Sequence, residues 1–262
     1  MKRNSEIRSN ARASLHGHWG AAVLTTLVYA LITLLCEGPD ACVSLSETMR
    51  ILGSYSFLAD LDLPRYIGYF SWPLVIFIML PLGFGYENTF LNLKRGDDRL
   101  TGNMFDNGFK WRYWRALGTR LLVSIYTILW SLLLLIPGII KAYAYSMTSF
   151  ISRDCPDIPI DDCIYLSRKM MNGHKFRLFL LDLGFIGWVI LLGIAFFCFG
   201  SIIDFWFGSA FLGPLIILVI IGTSSFWLMP YLHCSHAHFY EEVKAELYGD
   251  DPIAVVLQRY GK

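Results

Sequence analysis

Long apolar runs alternate with polar, basic segments along this chain. The runs cover residues 19–35, 66–90, 116–136, 138–152, 176–200 and 210–232. All but the fourth fall within the ~17–25 residues that a helix takes to cross a hydrocarbon core of ~30 Å. Between them lie three polar segments, 3–17, 100–115 and 157–175, each with an apolar stripe. In the first, Ile7, Ala11 and Leu15 recur at helical spacing with Arg3, Arg8 and Arg12 around them. The pattern predicts an all-α fold. It is a polytopic membrane helix bundle of about six transmembrane helices, one of them short (138–152), with three amphipathic helices on the cytoplasmic side.

The order of polar segment and apolar pair suggests a threefold repeat of helix plus hairpin over 1–95, 96–155 and 156–245, within one integral membrane domain. A cytoplasmic tail, 246–262, follows. The topology turns on Pro137 and Gly138. A single element from 116 to 151 would be ~54 Å long and would put Arg153, Arg168, Lys169, Lys175 and Arg177 opposite the basic 91–117 loop. A reversal at Pro137-Gly138 gathers every basic connector on one side, so a hairpin with a hinge there is expected. The amphipathic segments then have two readings, interfacial helices on anionic lipid or plain basic anchors.

Composition sharpens this picture. Of 262 residues, 55% are hydrophobic and only 16% charged, against about 25% charged in soluble domains. The net charge of +1 excludes a global field for nucleic acid. Prolines and glycines of the second run, Pro73, Pro81, Gly83 and Gly85, are tolerable where neighbouring helices satisfy the freed backbone groups. The six cysteines form no CxxC pair, and Cys36 and Cys42 flank a short loop that a disulfide would close in an oxidising compartment.

Several stretches recur in a recognisable order. They are LWSLLLLIPGIIKAYAYSM at 129–147, D-x-P at 157–159, SRKMMNGHKFRLF at 167–179, FIGW at 185–188 and W-x-x-PY with FY within 227–240. The N-terminal AR-x-x-L-x-x-x-W and a G-Y…L-x-x-x-R-G within 85–96 precede them. The chain resembles a bacterial integral-membrane family catalogued as domain of unknown function 975. It is more distantly similar, around IPGI, to the membrane-embedded part of some glycerophosphodiester phosphodiesterases. The resemblance implies a multi-pass bacterial inner-membrane protein, and supplies no reaction, cofactor or catalytic residue. Asp182-Leu183-Gly184 departs from the more apolar stretch usual in that family.

Ionisable residues within spans are the functional candidates. Lys141 has its ammonium reaching outward along the bilayer or facing Asp204, and Arg120 and Asp182 lie at similar depth, which suggests a buried pair. Cys234, His238 and Glu241 or Glu242 share a helical face at metal-ligand spacing, a weak metal candidate because HExxH is absent. No Walker loop, GxGxxG or GxSxG occurs. The expectation is therefore a non-enzymatic inner-membrane protein without cofactor, both termini cytoplasmic, that organises membrane or binds partners and anionic lipid headgroups. A small-solute or lipid transporter is the alternative, and a membrane enzyme the third reading. A polar cavity among the helices favours the alternative, and a closed apolar bundle the first.

Overall fold

Helix forms along every apolar run that the pattern marks. The computed structural model describes residues 3–51, 71–207 and 212–248; it is 87% helical, with no strand among the described residues. In α1 (Asn4–Leu15) the Glu6 carboxylate reaches back to the Arg3 N–H at 3.3 Å, a helix-start contact. Its stripe, Ile7, Ala11 and Leu15, is at most 1% exposed. α2 (Trp19–Ile51) is one helix of 33 residues and continues through the stretch expected as a loop. Cys36 and Cys42 therefore sit on one helix, about 9 Å apart along its axis, beyond disulfide reach. Cys36 is a buried free thiol, and the Cys42 side chain lies outside the described residues.

A helical turn (Ser71–Leu74) and a π-helical turn (Val75–Met79) lead into α3 (Leu80–Lys94). Pro81 has no N–H for the carbonyl one turn back. The wider turn carries the Leu80 N–H to the Val75 oxygen, and the Tyr113 hydroxyl donates to the Phe77 oxygen at 2.8 Å. A neighbouring helix thus supplies the donor that proline removes. α4 (Leu100–Phe105) follows and runs on as a second π-helical turn (Asp106–Lys110). Thr101 does not cap it; Thr101 bonds Thr25 Oγ1 at 2.9 Å and Arg99 holds the cap position.

The reversal expected at Pro137-Gly138 takes place, with its non-helical residue three positions earlier. α5 (Tyr113–Leu133) ends at Leu134, which is extended (φ −160°, ψ 138°), and α6 (Leu135–Tyr145) starts at once. Pro137 then falls in the first turn of α6, where a missing N–H goes unnoticed, whereas in a continuous helix its ring would meet the Leu133 carbonyl. Contacts between the arms step symmetrically about residue 135. Gly138 lies on Ser131, Lys141 on Trp130 and Tyr145 on Tyr126, and Ser152 Oγ bonds Thr119 Oγ1 at 2.9 Å. The return arm breaks at residues 146–147 and resumes as α7 (Thr148–Asp154), so the short span expected over 138–152 is two helices. α8 (Ile160–Met170), α9 (Lys175–Phe207) and α10 (Leu212–Tyr248) complete the chain.

The central helix is α3, on which eleven residues are buried. α4, α5, α7 and α10 all pack on it, and α2 reaches it through Thr26 and Tyr29 on Tyr86. The amphipathic helices bury their stripes on protein in a cyclic order. α4 lies on α2 and α3, α8 on α5, α6 and α7, and α1 on α10 and α9. Each thus covers the hairpin that precedes it, and the first covers the last. Among the described residues three stretches are long and apolar enough to cross a membrane, Trp19–Glu37, Trp72–Lys94 and Tyr113–Leu133. The run at 176–200 lies within α9, of 33 residues, and residues 212–232 of the last run within α10, of 37.

The hairpin depends on the absence of a side chain at Gly138, where a Cβ would stand 2.7 Å from Ser131 Cα and 2.9 Å from its Cβ. Gly138→Ala is expected to destabilise the purified protein by about 1–3 kcal/mol, the range for overpacking a tight contact. Thermal unfolding followed by tryptophan fluorescence checks this, and an unchanged midpoint would refute the close packing of the two arms.

Candidate functional site

A cleft of about 520 Å³ opens between four helices. α2 lends Thr26, Tyr29, Thr33 and Glu37, which recur at one-turn spacing along one face. α3 lends Gly83, Tyr86 and Glu87, α5 lends Arg120, and α10 lends Phe226, Met229 and His233. The wall is mostly apolar with a polar end. There the Arg120 guanidinium donates to Glu87 Oε1 at 2.8 Å, and the bare Cα of Gly83 leaves it room, since a Cβ would lie 3.0 Å from Arg120 Nη2. Tyr86 shares a 2.8 Å hydrogen bond with Thr26 Oγ1 and stacks on Tyr29, ring centres 4.7 Å apart. The His233 ring meets Tyr86 edge-on and lies over Phe90. Pro230, inside α10, leaves the helix one backbone bond short beside the Phe226 and Met229 wall. Two buried polar atoms here have no partner, Glu87 Oε2 and His233 Nδ1.

The pairing expected between Arg120 and Asp182 does not form. Arg120 goes to Glu87, and Asp182 Oδ1 is 2.6 Å from His236 Nε2, which joins α9 to α10. Equal depth in two helices says nothing about whether they are neighbours. Glu87 falls inside the span expected at 66–90, so the rule that singles out Arg120 and Asp182 singles it out too. Lys141 lies 4.4 Å from the Trp130 ring centre, and the Asp204 side chain is outside the described residues. The residues at metal-ligand spacing do not converge. Cys234 Sγ faces the Ala11 oxygen at 3.6 Å, His238 Nε2 bonds Ser14 Oγ at 2.9 Å, Glu242 pairs with Arg177 at 3.2 Å, and Glu241 with Arg95 at 2.6 Å. They dock α1, α9 and the end of α3 on α10. Burial also pushes the Cys234 thiol up to about 12, away from the thiolate a metal needs. Among the described residues no group of three such side chains could hold a metal ion.

A second constellation has no counterpart in the motif reading. Asp154, at the end of α7, takes a bidentate bond from Arg95 (2.8 and 2.9 Å), one from Lys244 Nζ (2.8 Å) and one from the Tyr240 hydroxyl (2.9 Å). Arg95 also donates to Glu241 at 2.6 and 2.9 Å. The ends of α3, α7 and α10 are thereby tied to one carboxylate. Burial raises the Asp154 pKa, but the bonds and charges of Arg95 and Lys244 outweigh it, and the net shift is downward.

The class defined by this architecture is an all-helical protein with stretches fit to cross a membrane, gathered round an amphiphilic cleft. Residues 132–246 match the model of a family described as "Protein of unknown function (DUF975)". The match runs from the tip of the α5–α6 hairpin to the last turns of α10. No curated protein and no solved structure matches the chain, and nothing in these comparisons shows the similarity to glycerophosphodiester phosphodiesterases.

Two outcomes follow. Arg120→Ala strands the Glu87 carboxylate in the cleft wall and is expected to cost about 2–3 kcal/mol, less than for a fully enclosed pair; adding Glu87→Gln should recover most of it. A double-mutant cycle of melting temperatures measures the coupling, and additive losses would deny the pair. Asp154→Asn is expected to cost about 2–3 kcal/mol at pH 7. The folded-state pKa is depressed, so the wild-type advantage is present above the unfolded value of 3.8 and is lost as pH falls below it. Melting of both proteins between pH 7 and pH 3 should show the gap closing only at the acid end.

Proposed function

We propose that this chain is a multi-pass protein of the bacterial plasma membrane, both termini cytoplasmic, whose bundle binds an amphiphilic ligand in the cleft between α2, α3, α5 and α10 and does no covalent chemistry on it. The observation that carries the reading is the cleft itself, about 520 Å³ of mostly apolar wall with Arg120, Glu87 and His233 at its polar end. That volume lies within the range of small-molecule sites. Ala30, Leu34, Phe226 and Met229 suit an apolar body, and Arg120, Glu87 and His233 suit a polar head. A purely structural, membrane-organising bundle has no use for such a void, so the lipid- or ligand-binding form of that role is favoured. The family resemblance supports the bacterial plasma membrane, and the basic connectors at 91–117 and 153–177 support the orientation. The cyclic packing of α1, α4 and α8 supports three units, 1–95, 96–155 and 156–245.

A carrier for the same ligand is the second reading. Its support is local: the π-helical turn at Val75–Met79 and Pro230 put helix irregularities on two of the helices that wall the cleft.

Native mass spectrometry of protein purified in mild detergent tests the proposal. Wild type should retain a small hydrophobic species that Ala30→Trp, which fills the cleft, loses at an unchanged melting temperature. The same species retained by both proteins would overturn the assignment of the cleft. Uptake of that species into proteoliposomes would select the carrier reading.

A further inference from the structure

The α5–α6 hairpin changes its surroundings halfway along. At its foot Ala116, Leu117 and Thr119 of α5 and residues 148–152 of α7 are buried in protein. From Ile125 to Ile140 large apolar side chains are exposed, and residues 132–136 at the tip are 62–84% exposed. Ile125 to Leu134 is nine steps of helix, about 14 Å. That is half of a ~30 Å hydrocarbon core. Below the tip the hairpin meets cations. The Lys141 ammonium, held over Trp130, lies within electrostatic reach of Arg168 and Lys175. With Lys169, Asn172 and Tyr165 these residues line a cleft of about 370 Å³ that has no carboxylate in its wall. Asp161 and Asp162 belong to an adjoining cleft that shares Lys141, Tyr165 and Arg168.

We propose that this hairpin enters one leaflet only, and that the cleft at its foot holds the phosphate of an anionic glycerophospholipid on Lys141, Arg168 and Lys175, with the acyl chains along the exposed tip. The chemistry is that of phosphate oxygens on several close cations. A free phosphate would meet the cations but leave the apolar tip uncovered, and a choline headgroup would bring a further cation among them. Basic pockets beside membrane helices select anionic headgroups on these grounds. Lys141 stands six residues, about 9 Å, from the tip, and its flexible stem carries the ammonium toward the headgroup layer, where Trp130 and Tyr165 are also at home. The inference rests on the membrane part of the reading above and shares no residue with the ligand cleft.

Two experiments test it. The full-length protein in detergent is titrated with short-chain phosphatidylglycerol, short-chain phosphatidylcholine and inorganic phosphate, read by tryptophan fluorescence. The phosphatidylglycerol is expected to bind at least tenfold tighter than the other two. Lys141→Gln with Arg168→Gln and Lys175→Gln should lose that preference, Lys141→Arg should keep it, and Lys110→Gln, at an exposed cation outside both clefts, should leave it unchanged. Equal binding of inorganic phosphate, or a preference that survives the triple substitution, would overturn the lipid site. In intact cells Leu134→Cys should resist a membrane-impermeant maleimide added outside, relative to the parent, and a fluorophore on that cysteine should be quenched by lipids labelled near the bilayer midplane. Labelling from outside would overturn the one-leaflet depth and leave the multi-pass reading standing, whereas recovery of the protein in the soluble fraction would overturn both.

Discussion

One carboxylate, Asp154, joins the parts of this bundle. Arg95 comes to it from the end of α3, and Tyr240 and Lys244 from α10, while Asp154 itself ends the return arm of the middle hairpin. Such a bidentate, charge-assisted junction fixes direction as well as distance. It sets where α3 and α10 run together, and thus where His233 meets Tyr86 and Phe90 at the cleft. It also sets the foot of the hairpin, since Arg115 of α5 donates to the Cys155 and Ile158 oxygens at 2.8 Å just beyond Asp154.

Helix lengths explain why a polar hub is needed. α2, α9 and α10 have 33, 33 and 37 residues, some 50–55 Å of helix, against a hydrocarbon core of ~30 Å. In the proposed membrane setting such a surplus lies outside the hydrocarbon. In water-facing surroundings apolar stripes have a partner only if other helices cover them, and α1, α4 and α8 do so in turn. The Arg8 guanidinium, with a 3.1 Å bond to the Leu181 oxygen and the Phe185 ring beneath it, shows how even the charged side of α1 is used for docking.

The sequence pattern revealed what is periodic and concealed what is relational. The stripe of Ile7, Ala11 and Leu15 was legible, because spacing of 3.6 residues defines a face. What covers that face was not, because lipid and protein select the same apolar side chains. The reversal near Pro137 was legible from the charge distribution. Its true pivot, Leu134, follows from a subtler rule: a proline is harmless in the first turn of the next helix, so the break moves back to let it sit there. The Arg120–Asp182 pairing failed because depth along two helices is only one of the coordinates a contact needs. The cleft draws on four helices distant in sequence, so no local motif announces it, although Arg120 and Glu87 both satisfied the rule for ionisable residues in spans.

A mostly apolar void with a polar end is also the form that a bundle of this kind can keep open. Packing would close a void lined by flexible aliphatic side chains, since each lost contact favours collapse. Here rigid groups hold the walls apart. Tyr29 and Tyr86 are stacked, Tyr86 is tethered to Thr26, and Arg120 is fixed to Glu87 across the space that Gly83 vacates. These contacts keep Arg120, Glu87 and His233 at one end of a wall that is otherwise apolar, the form that suits a ligand with an apolar body and a polar head.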